Sequence, residues 1–143
     1  MKMIDQIFCD DIRFEQLNKL SLMGVYGDRI VFKVPPGTAT ATTGQLPPIN
    51  LSFFLRFELD RDGLQPDPPP DGFKFRYILN KKEFPLVEGP IKVDPMQTIF
   101  SITIKAASLL LELGVLGFDL KIFSRGREVF SESKRNALKI VKE

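Results

Sequence analysis

Four separate segments of this chain alternate apolar and polar side chains with a period of two, a pattern that suits the pleat of a β-strand and not the 3.6-residue turn of a helix. Leu51, Phe53, Leu55, Phe57 and Leu59 alternate with Ser52, Phe54, Arg56, Glu58 and Asp60. Phe73, Phe75, Tyr77 and Leu79 alternate with Lys74, Arg76, Ile78 and Asn80. Phe100, Ile102, Ile104 and Ala106 alternate with Ser101, Thr103 and Lys105, and Phe118, Leu120 and Ile122 with Asp119, Lys121 and Phe123. Each pattern predicts a strand with one face in a core and the other mostly wet.

Weaker strands are expected around these four. Ile4 to Arg13 and Lys19 to Tyr26 flank a loop at residues 14–18, and Arg29 to Val34 follows Tyr26 across Gly27-Asp28. A two-residue connection with glycine first suits a type II′ hairpin, because glycine reaches positive φ without a steric cost. Ser124 to Arg127 reads as a tight turn into Glu128-Val129-Phe130, and Asn80-Lys81-Lys82 as another that leads to Phe84. Leu138 and Ile140 suit an edge strand or a short helix, and Lys105 to Leu113 is the one helical candidate, although its leucines at 109, 110, 111 and 113 also suit a strand end and a buried corner. Pro35 to Pro48 and Leu64 to Gly72 are proline-rich, and proline cannot donate to a ladder, so both read as loops. The sum is eight or nine short strands in a single all-β domain over residues 1–143, an antiparallel β-sandwich.

Composition narrows the chemistry. The 143 residues include no histidine, no tryptophan and one cysteine. Without histidine, Cys9 and the serines lack the usual base that activates a nucleophile. Ser131-Glu132-Ser133-Lys134 reads as a charged surface stretch, without the pattern that would support a Ser–Lys pair. A zinc or other transition-metal site with nitrogen or sulfur ligands is close to excluded. Cys9 lies within an alternating strand and reads as a small buried hydrophobe. No phosphate loop or dinucleotide fingerprint is present, since Gly24-Val25-Tyr26-Gly27 lacks the helix that should follow. These readings lead us to expect a protein that is not an enzyme and carries no cofactor.

The net charge of +2 implies neither a nucleic-acid nor a membrane partner. Lys121 to Glu143 carries seven basic and three acidic residues, a local +4 (7 − 3), which suits an edge strand guarded by lysine. No apolar run approaches the roughly 20 residues of a membrane helix. The residues after Met1 become acidic too soon for a signal peptide, and a lone cysteine suits a reducing compartment. A cytoplasmic location in a bacterium, or in a virus of one, is the expectation.

Two sets of side chains are candidate sites. Phe54 and Phe123 fall on the polar phase of their strands, and Ile78 and Ile99 behave alike. If they cluster in the open, they form an interface, with Arg56 and Lys121 at its rim; the alternative is that a loop or the C-terminal segment covers them. Asp10, Asp60 and Asp62 are the alternative, placing a calcium ion or bonding the hydroxyls of a sugar or other small ligand. Asp60-Arg61-Asp62-Gly63 begins like a calcium loop but lacks the closing glutamate, and Asp and Gly are ordinary turn formers.

The segment Phe8-Cys9-Asp10-Asp11-Ile12-Arg13, followed by Asn18-Lys19-Leu20-Ser21-Leu22-Met23-Gly24-Val25-Tyr26-Gly27-Asp28, resembles the N-terminus of a family of small bacterial and phage-associated proteins. That family has no established activity, so the resemblance implies no catalytic residues. Gly117-Phe118-Asp119-Leu120-Lys121-Ile122 with the Arg125-Gly126-Arg127 turn is similar to the closing hairpin of immunoglobulin-like sandwiches. This implies a fold and no particular function. The sequence is therefore expected to encode a protein-interaction or structural module, self-associating through a sheet face or an edge strand. A small-ligand or carbohydrate binder assisted by calcium is the second reading.

Overall fold

Residues 51–59 place five apolar side chains on one face of a single strand, and that strand organises the fold. In the computed structural model, which describes residues 1–33, 46–105 and 108–143, Leu51, Phe53, Leu55, Phe57 and Leu59 are all buried in the main core. The strand β5 (Ser52–Glu58) pairs antiparallel with β1 (Lys2–Phe14) on one side and β9 (Ile99–Ile104) on the other. β2 (Leu20–Val25) folds back on β1 as a hairpin and completes a four-stranded sheet, ordered β2-β1-β5-β9.

The second sheet is built on β6 (Gly72–Leu79), β11 (Gly114–Ser124) and β12 (Arg127–Lys142). Its order is β3-β12-β11-β6-β7, where β3 is Arg29–Phe32 and β7 is Lys82–Glu83, while β8 (Val87–Pro90) also pairs β6. β4 (Ile49–Asn50) and β10 (Ser108–Leu109) form a separate two-stranded ladder. All pairs are antiparallel except β3–β12, so the second sheet is mixed.

The two larger sheets share one apolar core. Phe53 meets Phe118 edge-on at 5.0 Å between centroids and Phe75 at 5.7 Å, and Phe57 meets Phe130 edge-on at 5.4 Å. These offset and edge-on geometries suit the charge distribution of the rings and add to the gain from burial. The four alternating segments all supply the core as expected, with Phe100, Ile102 and Ile104 on β9 and Leu116 to Ile122 on β11.

Four expectations are corrected. The described residues hold twelve strands rather than eight or nine; three of them, β4, β7 and β10, are two residues long. Gly27-Asp28 does not close a hairpin: β2 and β3 belong to different sheets, and β3 runs parallel to β12. The C-terminal segment is not an edge, because β12 lies between β11 and β3. Residues 108–113 form β10 and irregular chain rather than a helix, while 106–107 lie outside the described residues. Much of the proline-rich stretch 35–48 lies there too, and residues 46–48 and 64–71 are irregular chain. Among the described residues no helix is long and apolar enough to cross a membrane.

Candidate interaction surface

The β1–β2 hairpin carries apolar side chains where solvent should favour polar ones. Phe14 is 65% exposed, Leu17 86% and Val25 58%, and Leu20 and Met23 are exposed as well. Single exposed apolar residues are ordinary; here five fall within twelve residues of one hairpin. Leu17, at the tip, also has φ of 62°, a left-handed backbone that leucine rarely adopts. The Lys105 ammonium stands 5.4 Å from the centroid of the Phe14 ring.

β2 is also the edge of its sheet. Its sequence, Leu-Ser-Leu-Met-Gly-Val, contains no charge and no proline, the two usual guards of an edge. Three other edge strands carry them. β7 is Lys82–Glu83, β8 ends at Pro90, and β3 begins at Arg29. β9 is uncharged too, and its outer face presents Ile99 beside Ser101 and Thr103.

The base of the hairpin is well anchored. The Tyr26 hydroxyl donates to Asp10 Oδ1, and burial followed by that bond pushes the Tyr26 pKa up to about 12. Ile7 and Leu22 pack on a small cluster of Cys9, Ile12 and Phe54, separate from the main core. Cys9 is fully buried, and burial, then the charges of Asp10 and Asp11, raises its thiol pKa. A thiol held protonated and covered is a poor nucleophile.

The residues singled out in the sequence do not form one patch. Phe54, Arg56 and Ile99 lie in the four-stranded sheet, and Ile78, Lys121 and Phe123 in the six-stranded one. Both sets point away from the shared core, as their phase implied, but on opposite outer faces of the molecule. Phe54 is only 9% exposed, inside the Cys9–Ile12 cluster, and so is not free to bury itself against a partner. Arg56 is ion-paired with Asp5 and Lys121 with Glu128 at 3.4 Å. Phe123 is half-buried beneath the Lys74 ammonium, 5.4 Å from its ring centroid. Ile99 is exposed, opposite Glu58.

The carboxylate alternative is separated in the same way. Lys2 pairs with Glu58 and Cys9 with Ser52, so Asp10 and Asp60 stand beyond opposite ends of the β1–β5 ladder. Asp60 Oδ1 accepts the backbone N–H groups of Asp62 and Gly63 at 3.2 and 3.1 Å, an ordinary aspartate turn. Among the described residues no group of three or more Asp, Glu, Cys or His side chains could hold a metal ion.

A cleft of roughly 660 Å³ opens on the outer face of the six-stranded sheet, lined by Ile78, Asn80, Lys81, Glu83, Val115, Arg135 and Asn136. Two of its lining residues, Arg135 and Asn136, lie in a bulge of β12. Leu116 pairs with Leu138 and Phe118 with Lys134, so Gly117 alone faces three residues, 135–137. A Cβ on Gly117 would fall 2.2 Å from the Lys134 carbonyl oxygen, so no other residue allows the bulge to pass so close. Neither the place of Gly117 under the bulge nor the exposure of the hairpin follows from the residue pattern alone. The hairpin did carry a signal there, because Phe14 and Leu17 are apolar residues inside a predicted loop. No family model matches the chain, and no curated protein sequence matches it.

Proposed function

We propose that this chain is a non-enzymatic protein-interaction module that associates with a second copy of itself through the β1–β2 hairpin and the free edge of β2. The observation that carries this reading is the exposure of Leu20, Met23 and Val25 along an unguarded edge strand, with Phe14 and Leu17 exposed in the same hairpin. An edge presents unpaired N–H and C=O groups whose natural complement is another strand. A two-fold contact places the same strand on both sides, and an uncharged strand meets its own antiparallel copy without like-charge repulsion. Residues 8–28, which carry the resemblance to the small bacterial and phage-associated family, span this hairpin. Buried, unpaired Cys9 supports a reducing compartment such as a bacterial cytoplasm.

Strand order supports an immunoglobulin-like reading of the fold. β1, β5 and β9 follow the order of strands A, B and E in one sheet, and β6, β11 and β12 that of C, F and G in the other. The added β2 is a departure, and it is the strand that forms the proposed interface.

The test is light scattering over a concentration series for the wild type and for Met23→Lys, which gives β2 the lysine that natural edges carry. The wild-type mass should rise towards that of a dimer. Met23→Lys should stay monomeric with an unchanged circular dichroism spectrum, its dissociation constant raised about tenfold or more, or about 1.4 kcal/mol. A wild type that stays monomeric throughout, or a variant that still dimerises equally well, would overturn the reading.

A further inference from the structure

We propose that the cleft between the β6–β7 turn and the β12 bulge binds a small amphipathic carboxylate, an aliphatic or aromatic body that ends in one carboxylate group. Its walls are already in place. The Asn80 amide donates to the Leu113 carbonyl at 2.9 Å and accepts from the Val115 N–H at 3.0 Å, which ties the β6–β7 turn to the start of β11. On the other side, Gly117 lets residues 135–137 of β12 arch over the sheet. Bulges of this kind recur beside binding sites, where they redirect side chains.

The floor is apolar. Ile78, opposite Gly117 on the neighbouring strand, is 4% exposed, and Val115 adds to the floor. A volume near 660 Å³ lies within the range of roughly 300–1,000 Å³ common for small-molecule sites.

Charge at the mouth selects the ligand. Glu83, the one carboxylate in the lining, is taken by Arg76 at 2.6 Å. Arg135 is 3.5 Å from Asp119. Lys81 has no carboxylate within ion-pair distance among the described residues, and residues 34–45 and 106–107 contain no acid. The cleft therefore combines one ammonium without a counter-ion and an apolar floor, with Asn136 also in its lining. A cationic ligand would find its only carboxylate occupied, and an uncharged one would leave Lys81 unmatched.

The experiment is a titration with sodium octanoate below its micellar concentration, and with 1-octanol as the uncharged probe, read from backbone amide shifts. Octanoate should give saturable shifts at Lys81, Glu83, Val115, Arg135 and Asn136, with an affinity about tenfold or more above that of octanol. Lys81→Gly keeps the turn and removes the ammonium, so it should weaken octanoate about tenfold and leave octanol unchanged. Val115→Phe, which fills the cleft, should abolish both. Shifts confined to Phe14–Val25, shifts that never saturate, or equal affinities in the wild type and Lys81→Gly would each overturn the proposal. None of these results depends on whether the chain self-associates.

Discussion

Tyr26 and Tyr77 are the only tyrosines, and no tryptophan masks them. Both are pushed above the ordinary phenol value of 10. Tyr26 rises to about 12 through burial and the bond to Asp10, and Tyr77 rises through burial among the core aromatics. A raised acid pKa means that the folded chain holds the proton more tightly than the unfolded chain. Stability from this source is complete below the ordinary value and falls as the pH climbs through the raised range. A spectroscopic alkaline titration should therefore show little tyrosinate at pH 10 in the folded protein and the ordinary midpoint in denaturant. Half-ionised tyrosine at pH 10 in the native state would contradict this placement of both rings. At this scale the sequence revealed a good deal: Cys9 is the buried small hydrophobe its strand implied, and Phe54 and Ile78 leave the main core as their phase required. It could not say that Tyr26 reaches Asp10, sixteen residues away, because that contact depends on β2 folding back on β1.

Two hairpin turns solve one problem with different residues. In each, both central residues occupy positive φ, as a two-residue type I′ turn requires: Arg125 at 51° and Gly126 at 77°, Asn80 at 48° and Lys81 at 72°. Glycine and asparagine tolerate that region, whereas lysine places its Cβ too close to the backbone. Lys81→Gly should thus stabilise the fold by about 0.5–1 kcal/mol, the strain relieved less the entropy that glycine loses on folding. Chemical denaturation measures this, and a destabilised variant would show that the lysine side chain contributes more to the fold than its backbone costs. Both turns were readable because hairpin chemistry is local. The Gly27-Asp28 turn was misread for the complementary reason. Arg29 to Phe32 is claimed by a parallel ladder with Lys139 to Lys142, a partner more than a hundred residues along the chain. Local turn preference carries no information about such a partner. The β12 bulge was hidden likewise, since Gly117 matters only once β11 and β12 are aligned.

For the molecule as a whole, alternation tells which face of a strand is buried but not which sheet the strand joins. Phe54 and Phe123 share the outward phase, yet one belongs to β5 and the other to β11, on opposite sides of the core. The same ambiguity joined Asp10 to Asp60 and Asp62. Once strands are assigned to sheets, the exposed apolar residues within 14–25 stand out, because Leu20, Met23 and Val25 lie on an edge strand. Association there should protect β2 more than any other edge. The direct measurement is hydrogen exchange of the amides of Leu20–Val25 in dilute and in concentrated protein. Pairing predicts that alternate β2 amides, those facing away from β1, slow as concentration rises, while the β7 and β8 amides do not change. Exchange along β2 that is fast and independent of concentration would contradict the account.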